Sequence, residues 1–280
     1  MSRSIILIGG PDSGKTNYIG RLWQALDQGT GALHAAEQPP VLDFVLEVAD
    51  HLFEGGFAPR SELTDSRRDF EVLVAATQDG PRSRVVVPDI SGELWRKAVI
   101  DSEIDPDWMN ELCRADAALL FVRVDSDQDV RPLDWVTSRK MLAKLGEEED
   151  QGLPTQVMLC ELIRFLEGSL VNREDGSIPR LSVVVTAWDR VDPGQFELGP
   201  IAYLGREYPL VAGKLTDLEN LDVQVFGLSV VGGDLKHDAK FRQEFLEAGL
   251  EGHGWVAVRD GDGWRKDTDL TLPIAWAVGL

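Results

Sequence analysis

The sequence predicts an α/β fold in three layers: a mostly parallel central sheet between helices, one antiparallel hairpin edge, helical insertions and a short C-terminal extension. Three observations carry that prediction. The apolar run at 117–124 is continuous rather than alternating, as a strand covered on both faces requires, and 4–8, 181–186 and 223–228 read as further buried strands. Between them lie stretches with apolar residues at helical spacing, and strands alternating with helices build a parallel sheet. A glycine-rich turn joins the first strand directly to the first helix.

Taken in order, Ser4-Ile5-Ile6-Leu7-Ile8 is a short buried strand bounded by glycine. Tyr18, Ile19, Leu22, Trp23 and Leu26 then share one helical stripe that ends near Gly29. A polar, proline-containing stretch runs to Pro40. Leu42, Val45, Leu46, Ala49, Leu52 and Phe53 mark a second helix, stopped by Gly55-Gly56. Residues 57–69 read as loop. Strands at 70–75 and 84–88, joined by the turn Asp79-Gly80-Pro81, form the hairpin. Asp105-Pro106-Asp107 opens a short helix to Arg114. A long connection, 125–180, follows the strand at 117–124. It holds the acidic run Glu147-Glu148-Glu149-Asp150, read as a solvated loop, and a helix over 154–170. Further helices are predicted within 199–219 and over 238–249. The tail carries a hairpin about Asp260-Gly261-Asp262-Gly263, and its apolar Pro273-Ile274-Ala275-Trp276 segment packs on the body. The expected division is a phosphate-loop domain at 1–235, with insertions at about 30–60 and 126–180, and a helix and extension at 236–280 packed on that same domain.

Composition narrows the function. The chain has 280 residues and a net charge of −20. Such a charge repels the phosphates of duplex nucleic acid and disfavours an anionic membrane surface. No apolar run reaches membrane-spanning length. Cys113 and Cys160 stand at no metal spacing and suggest a reducing compartment, so a cytoplasmic, soluble protein is expected. The four histidines show no ligand spacing either, and the eight tryptophans are scattered, which favours packing over a stacking platform.

The strongest motif is Gly9-Gly10-Pro11-Asp12-Ser13-Gly14-Lys15-Thr16, which matches G-x-x-x-x-G-K-[ST] between a strand and a helix. Glycines let the backbone turn its N–H groups inward as an anion nest, and the following helix points its positive end at the same spot. Lys15 adds a full charge on the outer phosphates. The hydroxyl of Thr16 is placed to ligate magnesium, and Asn17 follows within the same site.

Four further stations narrow the ligand. Val85-Val86-Val87-Pro88-Asp89 is an apolar strand ending in a hard oxygen donor, suited to magnesium, although an aspartate capping a turn reads equally well. Gly92, three residues on, can bring a backbone N–H to the γ-phosphate. Val183-Val184-Val185-Thr186-Ala187-Trp188-Asp189 again delivers a polar residue and then a carboxylate. That carboxylate can accept from the ring N–H and exocyclic amine of guanine, a pair that adenine does not offer. Phe226-Gly227-Leu228-Ser229-Val230 ends in a serine, where a backbone N–H can reach the guanine carbonyl. Thr64 lies shortly before the strand at 70–75, where its hydroxyl and carbonyl can meet magnesium and the γ-phosphate.

In this order and spacing the chain resembles the Ras-like, translation-factor-related GTPases. It carries the phosphate loop, a switch threonine, D-x-x-G, the specificity box usually written [NT]-K-x-D, and the serine of the final box. The resemblance covers about residues 4–231. Within the superfamily it looks like the bacterial double-GTPase families, encoded beside effector or interaction proteins in operons thought to serve conflict systems. The helix before Thr64, Asp-Ile-Ser-Gly-Glu at 89–93 and the Pro-Ile-Ala-Trp ending carry that narrower likeness. The resemblance implies a P-loop GTPase-like fold and a switch that binds GTP and GDP with Mg2+. It also implies a protein effector or companion GTPase as partner, with nucleotide-dependent dimerisation as a further expectation.

Three departures bear on mechanism. Ala187 stands where the family has a lysine whose stem stacks on the base. Glu93 stands where many members orient the attacking water with glutamine, so hydrolysis is expected to be slow. Pro11 stiffens a loop position often filled by glycine. Asp12 matches the place where cation-dependent relatives ligate a monovalent ion, so a K+ beside it is one expectation; a carboxylate turned to water or capping the next helix is the other. Two other readings stay open: a P-loop ATPase or small-molecule kinase, and a nucleotide-binding scaffold that never turns over.

Overall fold

A computed structural model of the chain describes residues 4–58, 69–88, 92–101, 103–131, 153–250 and 252–280. Strand β1 (Ser4–Gly9) lies inside a nine-stranded sheet, parallel to β4 (Ser83–Pro88) on one side and β5 (Ala115–Arg123) on the other. The parallel run continues through β6 (Arg180–Thr186) and β7 (Asp222–Ser229). Beyond β4, β3 (Asp69–Ala75) and β2 (His34–Ala35) are antiparallel; beyond β7, so are β8 (Trp255–Asp260) and β9 (Gly263–Asp267).

The continuous apolar runs have the cause the sequence suggests: both faces of the parallel strands are buried. Ile6 and Ile8 of β1 enter one core and Ile5 and Leu7 the other; in β5, Leu120 and Val122 separate from Leu119 and Phe121 in the same way. One face is covered by α1 (Lys15–Gln28), α2 (Asp43–Phe53) and the last helix, α9 (Leu272–Val278). The opposite face carries α3 (Gly92–Asp101), α4 (Pro106–Leu112), α5 (Thr155–Ser169), α6 (Pro193–Glu207) and α7 (Pro209–Thr216). A small third cluster, with Leu52, Val231 and Leu235, packs under Phe245 of α8 (Ala239–Ala248). Asp105 caps α4 as its sequence suggests, accepting from the Asp107 N–H at 2.9 Å, with Pro106 in the first turn.

The structure differs from the sequence reading in four places, the first being α3, which forms where the sequence reading leaves no element. The stretch before Pro40 contributes an edge strand, β2, whose two residues pair with Val74 and Ala75. The helix expected within 199–219 begins at Pro193, kinks at Gly199, and breaks at Tyr208 before Pro209 restarts it. The tail hairpin joins the main sheet: β8 pairs with β7, so both edges are antiparallel where one was expected. The apolar ending is a helix. Buried Arg173 donates to the carbonyls of Ala277 and Val278 at 2.8 Å, and buried Ser182 of β6 donates to the Pro273 carbonyl at 2.8 Å. Each such bond supplies a partner to a polar group that burial would otherwise penalise.

Candidate functional site

The phosphate loop is the turn between β1 and α1. Gly14, with φ 87°, takes the left-handed conformation that lets α1 start immediately after it. Lys15 Nζ donates to the carbonyls of Gly9 at 2.7 Å and Gly10 at 3.1 Å and to Ser13 Oγ at 3.1 Å. The ammonium is therefore folded over the loop, on the spot the loop encloses. Thr16 and Asn17 occupy the next positions in the first turn of α1. Asn17 Oδ1 accepts from the Ala58 N–H at 3.0 Å and so ties the chain after α2 to the first turn of α1.

Gly92 opens α3 against the backbone of the same loop. A Cβ there would stand 2.1 Å from the Pro11 nitrogen and 2.3 Å from the Gly10 oxygen. Only glycine allows that approach, because the opposing atoms are backbone and cannot swing away. Thr64 and Asp89 lie outside the described residues, as does the side chain of Glu93. Of the described residues on either side of Asp89, Gly92 lies against Gly10 and Pro11, while β4, which ends at Pro88, pairs with β1 at Arg84 and Val85.

The carboxylate of Asp12 is engaged within the chain. Arg123 Nη1, at the end of β5, donates to Asp12 Oδ1 at 3.1 Å and more weakly to its carbonyl at 3.4 Å, while Ser126 Oγ donates to Oδ2 at 3.0 Å. Asp12 does not cap α1, and the protein cation beside its carboxylate is Arg123. Sequence reasoning missed Arg123. Its only sequence signal was a charged residue near the end of the apolar run at 117–124.

The base end is a cleft of about 660 Å³, open mouth included, that begins at Gly14 and Asn17 and passes Thr186, Ala187 and Asp189 to Val230. Buried Thr186 donates its hydroxyl to the Ser13 carbonyl at 2.8 Å, which locks the end of β6 to the phosphate loop. Asp189 follows in a single 3-10 turn, 188–190. Trp188 fixes that turn: it is fully buried, meets Tyr203 edge-on at 5.4 Å, and lies against Gly227. The carboxylate of Asp189 has no hydrogen bond or ion pair among the described residues, so both oxygens remain available at the cleft. Ser229 is buried, and its Oγ accepts from the Gly232 N–H at 2.9 Å, turning the chain at Val230 into the cleft.

A second missed residue is Arg21 of α1. It is buried, and its guanidinium donates to the carbonyls of Val230 at 3.0 Å and Leu250 at 3.2 Å, and to that of His253. Burial lowers its pKa to about 10, which still leaves it charged near neutrality. The helix that starts at the phosphate loop thus also holds the loop that closes the base end.

The Double-GTPase 1 family model matches residues 6–277. The chain belongs to the Double-GTPase 1 family. No protein of curated function matches it. Solved structures similar to this Double-GTPase 1 member include the signal recognition particle receptor SRb-GTP/SRX complex from Chaetomium thermophilum. That likeness has 15% identity and a TM-score of 0.40, and covers 87% of this chain and 97% of that one. The bacterial selenocysteine-specific elongation factor EF-Sec is similar at 14% identity and TM-score 0.39, over 89% of this chain and 29% of that one. Methanosarcina barkeri Roco2 RocCORdC bound to GDP is similar at 14% identity and TM-score 0.33, over 90% and 50%. Among the described residues, no helix is long and apolar enough to cross a membrane, and no three histidine, cysteine or acidic side chains cluster as a metal site.

Proposed function

We propose that this protein is a guanine-nucleotide switch that binds GTP and GDP with Mg2+, hydrolyses GTP slowly, and signals through a protein partner. The observation that carries the reading is Asp189: an unbonded carboxylate at the base end of a cleft whose other end is the phosphate loop. An acceptor pair at that point matches the two adjacent donors of guanine and has no counterpart on adenine. Lys15 and the loop N–H groups hold the β- and γ-phosphates. Thr16, with Asp89 and Thr64, would hold Mg2+ through hard oxygens, and the ion would supply neutralising positive charge at the outer phosphates. Gly92, three residues after Asp89, supports this, since it lies against the phosphate loop. Gly92 offers its N–H to the γ-phosphate, so the start of α3 senses whether that phosphate is there. Glu93 is proposed to position water poorly, because its charge opposes the phosphate, giving turnover on the order of 10⁻³ s⁻¹ or less without an activator. The partner, a companion GTPase or effector in a bacterial conflict system, follows from the family resemblance.

The test is a calorimetric titration with GTP, GDP, ATP and XTP in magnesium, on the wild type and on Asp189→Asn. The wild type is expected to prefer guanine. Asp189→Asn is expected to weaken GTP more than tenfold, as loss of a charged hydrogen bond worth ~1.5–3 kcal/mol implies, and to strengthen XTP. Equal binding of ATP and GTP by the wild type, with no change in the variant, would favour an ATPase or kinase instead.

A further inference from the structure

The base end of the cleft has a floor that its own strand does not supply. Ala187, in the left-handed region at φ 54° and ψ 36°, brings only a methyl group between Thr186 and Asp189. The neighbouring strand reaches the same place. Arg123 closes β5 and is the register partner of Thr186, the residue just before Ala187. Its side chain lines the same cleft as Ala187 and Asp189, with a quarter of its surface still exposed.

Its guanidinium is held from the phosphate side. Nη1 donates to the carboxylate and the carbonyl of Asp12. Behind it, the Arg123 carbonyl accepts from the Tyr208 hydroxyl at 3.1 Å, and burial raises the pKa of that phenol, which keeps its proton in place. The group is thus planar, charged, paired at one edge and anchored at its backbone. A planar guanidinium held in this way can stack on an aromatic ring as a point charge cannot.

We infer that Arg123 is the platform on which the purine of the bound nucleotide stacks, doing from β5 what a lysine at position 187 would do from β6. The inference rests on the guanine-site reading above. It also gives the Asp12–Arg123 pair a purpose. The pair fixes the platform relative to the phosphate loop, so base and phosphates are registered against each other by one salt bridge.

The experiment is calorimetry with GDP and with guanosine, both in magnesium. The proteins are the wild type, Arg123→Ala, Lys236→Ala and the double variant Arg123→Ala/Ala187→Lys, each checked for folding by circular dichroism. Arg123→Ala is expected to weaken GDP and guanosine by the same factor, about tenfold. A lysine at 187 in the double variant should restore most of that loss. If Arg123→Ala lowers the folded fraction, Arg123→Met, which keeps the side-chain bulk, is read in its place. Weakened GDP with unchanged guanosine would move Arg123 to the phosphates and overturn the inference. So would a loss carried by the exposed, cleft-lining Lys236 instead, or a loss that lysine at 187 leaves untouched. Should the wild type bind ADP as tightly as GDP, the guanine reading itself fails; a clear GDP preference with an unaffected Arg123→Ala fails only the platform.

Discussion

At its phosphate end the cleft is made by one stretch of chain, the loop from Gly9 to Thr16, and Lys15 bonds back to carbonyls of that same loop. At its base end it is made by Asp189 after β6, Arg123 from β5 and Val230 after β7, whose carbonyl Arg21 of α1 holds. The first end needs little more than its own residues in order. The second exists only when strands far apart in sequence lie in register. Local wiring is set by spacing along the chain, whereas the base end depends on buried long-range bonds that no spacing records.

The contrast can be broken at several points. Lys15→Ala should give the largest effect, a loss of GDP affinity of about 100-fold with the fold retained, because it removes a full charge aimed at the phosphates. Calorimetry together with circular dichroism checks it; near-normal GDP binding would remove Lys15 from the site. Gly92→Ala tests whether the phosphate end is as self-contained as it looks. Its Cβ would meet the Pro11 nitrogen at 2.1 Å, so stability should fall by about 2–3 kcal/mol and GDP affinity with it. Urea unfolding measures the first part, and an unchanged midpoint would mean that α3 can step away from the loop.

Arg21→Met acts on the other end. It leaves the carbonyls of Val230, Leu250 and His253 without their donor, for a stability loss of about 2 kcal/mol. Guanosine affinity should drop more than pyrophosphate affinity, and equal drops would show that the two ends are not separable. The smallest effect concerns salt. Asp12 is already paired with Arg123 and bonded by Ser126, so single-turnover GTP hydrolysis should be the same in potassium chloride and sodium chloride at matched ionic strength. A potassium-specific gain that vanishes in Asp12→Ala would restore a monovalent cation to that position.

The sequence reading located the loop, the strands that end in Thr186-Ala187-Trp188-Asp189 and Ser229, and the helix between 154 and 170, because each is announced by residues near one another. It left out β2, since two residues in a polar stretch carry no period and pair only because β3 presents an edge. It placed the tail hairpin but not its partner, because β8 pairs with β7 through Gly227, Leu228 and Ser229, a contact no local pattern announces. Arg123 and Arg21 passed unnoticed for one shared reason. A lone arginine has no signature until its acceptors are placed, and these acceptors are a side chain 111 residues away and backbone carbonyls more than 200 residues away.

By itself, then, the order of residues determined the anion-binding turn, its lysine, and the alternation of strand and helix that puts polar residues at strand ends; these follow from local backbone freedom and from which faces must be buried. Tertiary structure alone decided which cation faces Asp12, what floors the base end beside Ala187, and how α1 grips the loop after β7. Those outcomes turn on the register of β5 against β6 and on the burial of single charged groups, and both become defined only once the sheet is assembled.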